Sequence, residues 1–265
     1  MSIDSARVLV VGDVAAGKTS LIRLLARGQP VDDAPNPTVG CELEILLHKY
    51  EPEASRDTGN GLLPAPWDIR STTGSRRSEP KDYFIEFLEI GATHSHAVTR
   101  RMFYHDYSGI ILVYDLTSPR SCQRLSEWRQ ELQQYSFEHL DLTADGQIRV
   151  PEVVTGSGED SRKAVPSRRI PILVVGTKAD QTNAIKAEHR FWIDKILNET
   201  GAREIRLSTN RCTDLSLTSD NWEKLDSFYN KVVDNKFSAL FPSVIAPSSP
   251  DTRPRSYSKY RHPVM

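Results

Sequence analysis

Hydrophobic positions along the chain follow two alternating rhythms. Val8–Val11 is a short, continuously apolar run, and the same character returns at Tyr83–Leu88, Ile110–Tyr114 and Ile172–Val175, more weakly at Ile205–Leu207. Runs that are apolar on both sides suit parallel strands buried between helices. Helical periodicity fills the gaps at Ser20–Arg27, Ser121–Tyr135, Lys186–Glu199 and Asn221–Phe237. In the last of these, Trp222, Leu225, Tyr229 and Val232 form one apolar stripe. Cys41, Leu43, Ile45 and Leu47 alternate with polar residues, as a half-covered edge strand should. The pattern predicts an α/β fold, a six-stranded and mostly parallel sheet with helices on both faces.

Three stretches lie outside that rhythm. Residues 51–80, roughly 142–169 and 242–265 are rich in Gly, Pro, Ser and charge, with no periodicity. They read as two disordered insertions and a tail. That leaves one domain over 1–241, interrupted by polar insertions, followed by a disordered segment over 242–265.

Composition narrows the setting. A formal net charge of −1 gives no electrostatic reason to expect nucleic acid or an anionic membrane as partner. Cys41, Cys122 and Cys212 are odd in number and widely spaced, which fits reduced thiols in the cytoplasm. The opening MSIDSARVLVVG has neither a signal-peptide design nor a myristoylation glycine, and no apolar run approaches the roughly 20 residues that span a bilayer.

The chemistry begins where the first strand runs into GDVAAGKT. This segment (Gly12, Asp13, Val14, Ala15, Ala16, Gly17, Lys18, Thr19, then Ser20) fits the phosphate-loop pattern G-x-x-x-x-G-K-[ST]. Glycines let backbone N–H groups turn toward phosphates, and the following helix N-terminus adds positive potential. Lys18 neutralises charge on the β- and γ-phosphates, and Thr19 offers a hydroxyl to Mg²⁺. About 160 residues later, another buried strand ends in Thr177, Lys178, Ala179, Asp180. Asp180 can accept from guanine N1–H and N2–H₂ together, a contact adenine does not offer, while Lys178 lays its stem along the ring. A later strand ends in Ser208, Thr209 and Asn210, where a backbone N–H can meet guanine O6.

Together these elements resemble the small GTPases of the Ras superfamily, of Rab type, with a P-loop G domain. NPTVG (Asn36–Gly40) resembles the Rab switch I, VYDLTSPRS the central strand and its exit, and Ser208–Asn210 the S-A-K loop. The PTVGC string, the long insertion between the switches, MFYHDYSGIILVYDLT, VVGTKADQ and LSTNRC resemble the Rab-like 3 subfamily in particular, with plant Rab-like GTPases as second choice. The resemblance implies GTP/GDP and Mg²⁺ as ligands, with Thr38 binding the metal and γ-phosphate. It implies effectors or regulators at the switch regions, other small GTPases or their chaperones among them, and a homodimer as an option.

Switch II departs from the family's D-x-x-G-Q. Aligned by its alternation, Glu89 stands at the Asp, Gly91 follows Ile90, Ala92 stands at the Gly and Thr93 at the catalytic Gln. A rival register puts Leu88 on the acid, which holds no metal water. Glu89 still permits Mg²⁺ contact through water. Thr177 replaces the family's Asn, and no aromatic near Val31 matches the one that covers the base. With Thr93 short, Ala92 carrying a side-chain methyl in place of the family's glycine and Val14 facing the attacking water, slow intrinsic hydrolysis is expected. Two functions follow: a GTP/GDP-controlled switch in signalling or intracellular transport, or a constitutive nucleotide-bound scaffold. A P-loop kinase fits worse, because TKAD argues against it.

Other features have plainer readings. His94, His96 and His105 match no ligand spacing and read as solvent-facing. Trp128 reads as core, while Phe103 and Tyr104 are divided between packing and partner contact. The chain ends in His262, Pro263, Val264 and Met265, without the prenylated cysteines of Rab proteins, and residues 251–261 carry a charge of only about +3. No stable membrane anchor is expected.

Overall fold

The computed structural model describes residues 3–30, 35–50, 81–135, 141–142, 148–149, 170–182 and 187–237. The first insertion and the tail lie outside these residues, as do most of the second insertion and position 31.

The first strand, β1 (Ser5–Gly12), is central because it is apolar on both sides. Val8 and Val10 pack into one core and Leu9 and Val11 into the other, each fully buried. On one flank runs β3 (Lys81–Ile90), on the other β4 (Gly109–Asp115), both parallel to β1. Beyond β3, β2 (Cys41–Tyr50) is an antiparallel edge. Beyond β4 come β7 (Ile172–Thr177) and β8 (Arg203–Arg206), both parallel. The order β2-β3-β1-β4-β7-β8 is the six-stranded, mostly parallel sheet expected from the sequence. Two short strands, β5 (Asp141–Leu142) and β6 (Ile148–Arg149), form a separate antiparallel pair.

Helices cover both faces. From α1 (Lys18–Arg27), Leu21, Ile22 and Leu24 join Leu225, Phe228, Tyr229 and Val232 of α4 (Asp220–Phe237) against one face. From α2 (Pro119–Tyr135), Leu125, Trp128 and Leu132 join Ile193 and Ile196 of α3 (Ala187–Thr200) against the other. Burying a side chain as large as Phe87 contributes about 1.5–3 kcal/mol relative to leaving it in water. The expected stripe on α4 is in place, with Trp222 partly buried at its start.

The edge strand is half covered, but its covered side is the polar one. Leu43, Ile45 and Leu47 are 50%, 49% and 55% exposed. The opposite side turns Glu42 and Glu44 toward α1, where Glu42 pairs with Arg23 at 2.7 Å and Glu44 pairs with Arg27. His48 is buried there, its Nε2 at 3.0 Å from Asn230 Oδ1, and Leu46 and Tyr50 pack on the core. These partners on α1 and α4 decide which way the strand faces, because one register choice orients every side chain along it. An apolar strip is left on the outside.

Candidate nucleotide-binding site

β1, β3, β7 and β8 deliver their carboxyl ends to one side of the sheet, where open α/β folds place ligands. A cleft of about 510 Å³ opens there. Its floor is the loop between β1 and α1. Gly17 turns with φ 82°, a left-handed conformation that a glycine adopts without a Cβ clash, and so aims the first N–H groups of α1 into the cleft. Ala15 is left-handed too, with φ 59°. Non-glycine residues held there cost roughly 1–3 kcal/mol and gather at ligand sites.

Two contacts brace this loop from outside. Asp13 Oδ1 accepts from the Val14 N–H at 2.8 Å and from Arg124 Nη1 of α2 at 2.6 Å. Thr177 Oγ1 donates to the Ala16 carbonyl at 2.7 Å, with the Tyr114 carbonyl at 3.1 Å. Lys18 is buried, and its Nζ donates to the Asp13 carbonyl at 3.0 Å and lies 4.0 Å from Glu89 Oε1. Burial pulls its ammonium below the ordinary lysine range, against the opposing pull of Glu89 and Asp13.

Beside Lys18 three oxygens meet. Thr19 Oγ1 lies 3.2 Å from Thr38 Oγ1, 3.0 Å from Glu89 Oε1, and the Thr38 hydroxyl reaches the same Oε1 at 3.1 Å. Glu89 is 2% exposed, and its Oε2 is buried without a hydrogen-bond partner among the described residues. Burial raises its pKa, with the hydroxyls and Lys18 pulling it down. Two hydroxyls and a buried carboxylate, one of whose oxygens has no partner among the described residues, form an all-oxygen donor set suited to a hard cation such as Mg²⁺. Thr19, Thr38 and Glu89 are the residues that would hold it. There it would neutralise phosphate charge.

At the other end of the cleft lie Lys178, Asp180, Gln181, Thr209 and Asn210. Lys178 has φ 59°, and its Nζ pairs with Asp115 at 2.7 Å. Asp115 loses solvation on burial, but Lys178 and Thr117 outweigh this and hold its carboxyl below the ordinary range. Asp180 is exposed at the mouth. The Ser208 N–H donates to Asp214 at 2.8 Å, and Ser208 Oγ accepts from the Asn210 N–H at 3.2 Å, which shapes the loop that carries Thr209.

Switch II leaves β3 at Ile90. It is Glu89, not Leu88, that turns into the cleft, and Ala92 and Thr93 line it as well. Gly91 stands behind: its N–H donates to the Gly40 carbonyl at 2.8 Å, and a Cβ there would lie 2.6 Å from the Thr38 carbonyl. Farther on, Arg100 Nε donates to Glu131 Oε1 of α2 at 2.7 Å, a second nitrogen meets Oε2, and the guanidinium stacks 4.3 Å over Trp128. Tyr104 is 4% exposed and donates to Glu131 at 2.9 Å, and Phe103 packs partly buried on the same core. Packing accounts for both aromatics. His94 and His105 are exposed and His96 is half-buried. Among the described residues, no group of three His, Cys, Asp or Glu side chains could hold a metal.

Of the residues singled out in the sequence, Val14, Ala15, Gly17, Lys18, Thr19, Ser20, Thr38, Glu89, Thr93, Lys178, Asp180, Thr209 and Asn210 line one cleft. Gly12, Asp13, Ala16, Gly91, Thr177 and Ser208 do not line it and sit behind the loops that do. Arg124 and Asp214 carry no motif in the sequence, and Asp115 lies inside VYDLTSPRS without a role read for it. Asp115 alone had a signal, as the end of the VYD strand.

The Ras family model matches residues 77–147. The chain is 33% identical to Rab-like protein 3 of Xenopus tropicalis over 244 residues, covering 89% of this chain and 88% of that one. It is 30% identical to Rab-like protein 3 of Homo sapiens over 243 residues, 89% and 87% of the two chains. Small GTPase LIP1 of Arabidopsis thaliana is 27% identical over 191 residues, 71% of this chain and 48% of that one. No described helix is long and apolar enough to cross a membrane. Similarity at this level over most of both chains means that the protein belongs to the Rab-like small GTPases of the Ras superfamily.

Proposed function

We propose that this chain is a GTP/GDP-controlled switch in intracellular signalling or transport, working in the cytoplasm, with slow intrinsic hydrolysis. One observation carries the reading: the phosphate-loop lysine, both threonines and the Asp180–Thr209 base loops line a single cleft. Small GTPases of this family bind guanine nucleotides, generally with Mg²⁺. Lys18 and the α1 N-terminus bind the phosphates, Asp180 reads the guanine edge, and Thr209 contributes its backbone to O6. Thr93 stands where a water-positioning group is needed. The apolar strip of Leu43, Ile45 and Leu47, with Val39 at 75% exposure beside it, suits a docking partner that reads switch I. Effectors, regulators, other small GTPases or their chaperones, or a second copy would dock there.

A second reading, a constitutive nucleotide-bound scaffold, draws on the anchoring of switch II to α2 through Arg100, Glu131 and Tyr104. An anchored segment has less freedom to respond to a γ-phosphate.

Competition binding with GTP, ATP and XTP tests the nucleotide assignment. Sites built on such hydrogen bonds reject the wrong partner by roughly 10⁴-fold, so GTP should exceed ATP by about that factor. Asp180→Asn should lose GTP and gain XTP, whose C2 carbonyl accepts from the new amide. Equal affinity of the parent for ATP and GTP would sink the assignment.

A further inference from the structure

The switch II acid is one C–C bond longer than the aspartate that holds a metal-bound water in the family pattern. Its oxygen sits in a particular triangle. Thr19 Oγ1, Thr38 Oγ1 and Glu89 Oε1 are 3.2, 3.0 and 3.1 Å apart. In an octahedron with Mg–O of about 2.0–2.1 Å, adjacent ligand oxygens stand √2 times farther apart, about 2.8–3.0 Å. At 3.0–3.2 Å the three oxygens stand at or slightly beyond that spacing, so a contraction of a few tenths of an ångström would bring them onto one face around a shared cation.

We propose that Glu89 is a direct ligand of the nucleotide-bound cation, taking the coordination position that water occupies when the acid is aspartate. The proposal rests on the reading of this cleft as a nucleotide–Mg²⁺ site. The added methylene supplies the reach that the water would otherwise fill. The buried Oε2 has no hydrogen-bond partner among the described residues, which marks a carboxylate with unused capacity for a further ligand on either oxygen. With Oε1 on the cation, Oε2 is left to accept a hydrogen bond from a neighbouring hydroxyl or from a remaining water. Lys18 Nζ, 4.0 Å from Oε1, stays close enough to favour the ionised form.

The test counts waters rather than turnover. Full-length protein is loaded with Mn²⁺ and a non-hydrolysable GTP analogue, and EPR line broadening in ¹⁷O-enriched water reports how many waters the cation keeps. The parent should show about one water fewer than Glu89→Asp. Glu89→Gln keeps the length and a neutral oxygen, so it should keep the lower count while weakening Mn²⁺ by at least about 10-fold, the lower end of effects reported for outer-shell partners alone. Equal water counts in the parent and Glu89→Asp, with tight nucleotide-dependent Mn²⁺ binding in both, would overturn direct ligation and leave the nucleotide site standing. Nucleotide-independent Mn²⁺ binding in the parent would overturn both.

Discussion

The Thr177 hydroxyl donates to the Ala16 carbonyl at 2.7 Å, joining the base-side strand to the phosphate loop across 161 residues of sequence. The contact is fully buried, so its loss is felt as an unmade hydrogen bond rather than one handed to water. The position at which the family carries Asn therefore holds the two halves of the cleft in register here.

Thr177→Val keeps the shape and removes the donor. It should cost about 1–3 kcal/mol in thermal or denaturant unfolding, because the buried Ala16 carbonyl loses its donor. Nucleotide affinity should fall with it, while Thr177→Asn should retain both. A Val variant with parental stability and parental nucleotide dissociation would show that the bridge contributes nothing.

The Arg100–Glu131 pair predicts a second effect. Arg100→Ala should cost about 1.5–3 kcal/mol, the range for hydrogen bonds to charged groups. Amide exchange should quicken at residues 99–103, which lose their tie to α2. Burial opposes ionisation of Glu131, yet Arg100 and Tyr104 hold its carboxyl below the ordinary value of 4.5. A depressed acid contributes stability above its unfolded pKa and loses it as pH falls through the folded one. The parent should therefore lose this contribution progressively below about pH 4.5, and Glu131→Gln should show a flatter profile there. Identical acid limbs in the two proteins would refute the assignment.

Hydrolysis offers the third prediction. Thr93 is too short to orient a water as glutamine does, and Val14, 53% exposed, and Ala92 line the same cleft. Loss of a water-positioning group plausibly slows the reaction by about 10-fold to 10³-fold. Thr93→Gln alone should rescue little. Combined with Val14→Gly and Ala92→Gly it should rescue more than the sum of the separate changes, since the three share one space. Single-turnover assays on the parent, the three single variants and the triple variant decide, and a parent as fast as an ordinary Rab would defeat the argument.

Much of the molecule was legible in the residues themselves. Parallel strands show as mainly apolar runs and the antiparallel edge as alternation, and all six strands of the main sheet were placed within a few residues. GDVAAGKT was readable because a tight anion-binding turn demands glycine, lysine and a hydroxyl within one short segment, and TKAD for a similar local reason. Only the tertiary structure decided the rest. Alternation along Cys41–Leu47 says that the two sides of β2 differ, yet Arg23, Arg27 and Asn230, on other elements, choose the side that is covered. Asp13 meets Arg124 across 111 residues, and Glu89 meets Thr19 and Thr38 across 70 and 51. Periodicity reports what each segment prefers on its own. Which charge answers which depends on strand order and on the helices laid across the sheet, and that is set only when the chain closes on itself.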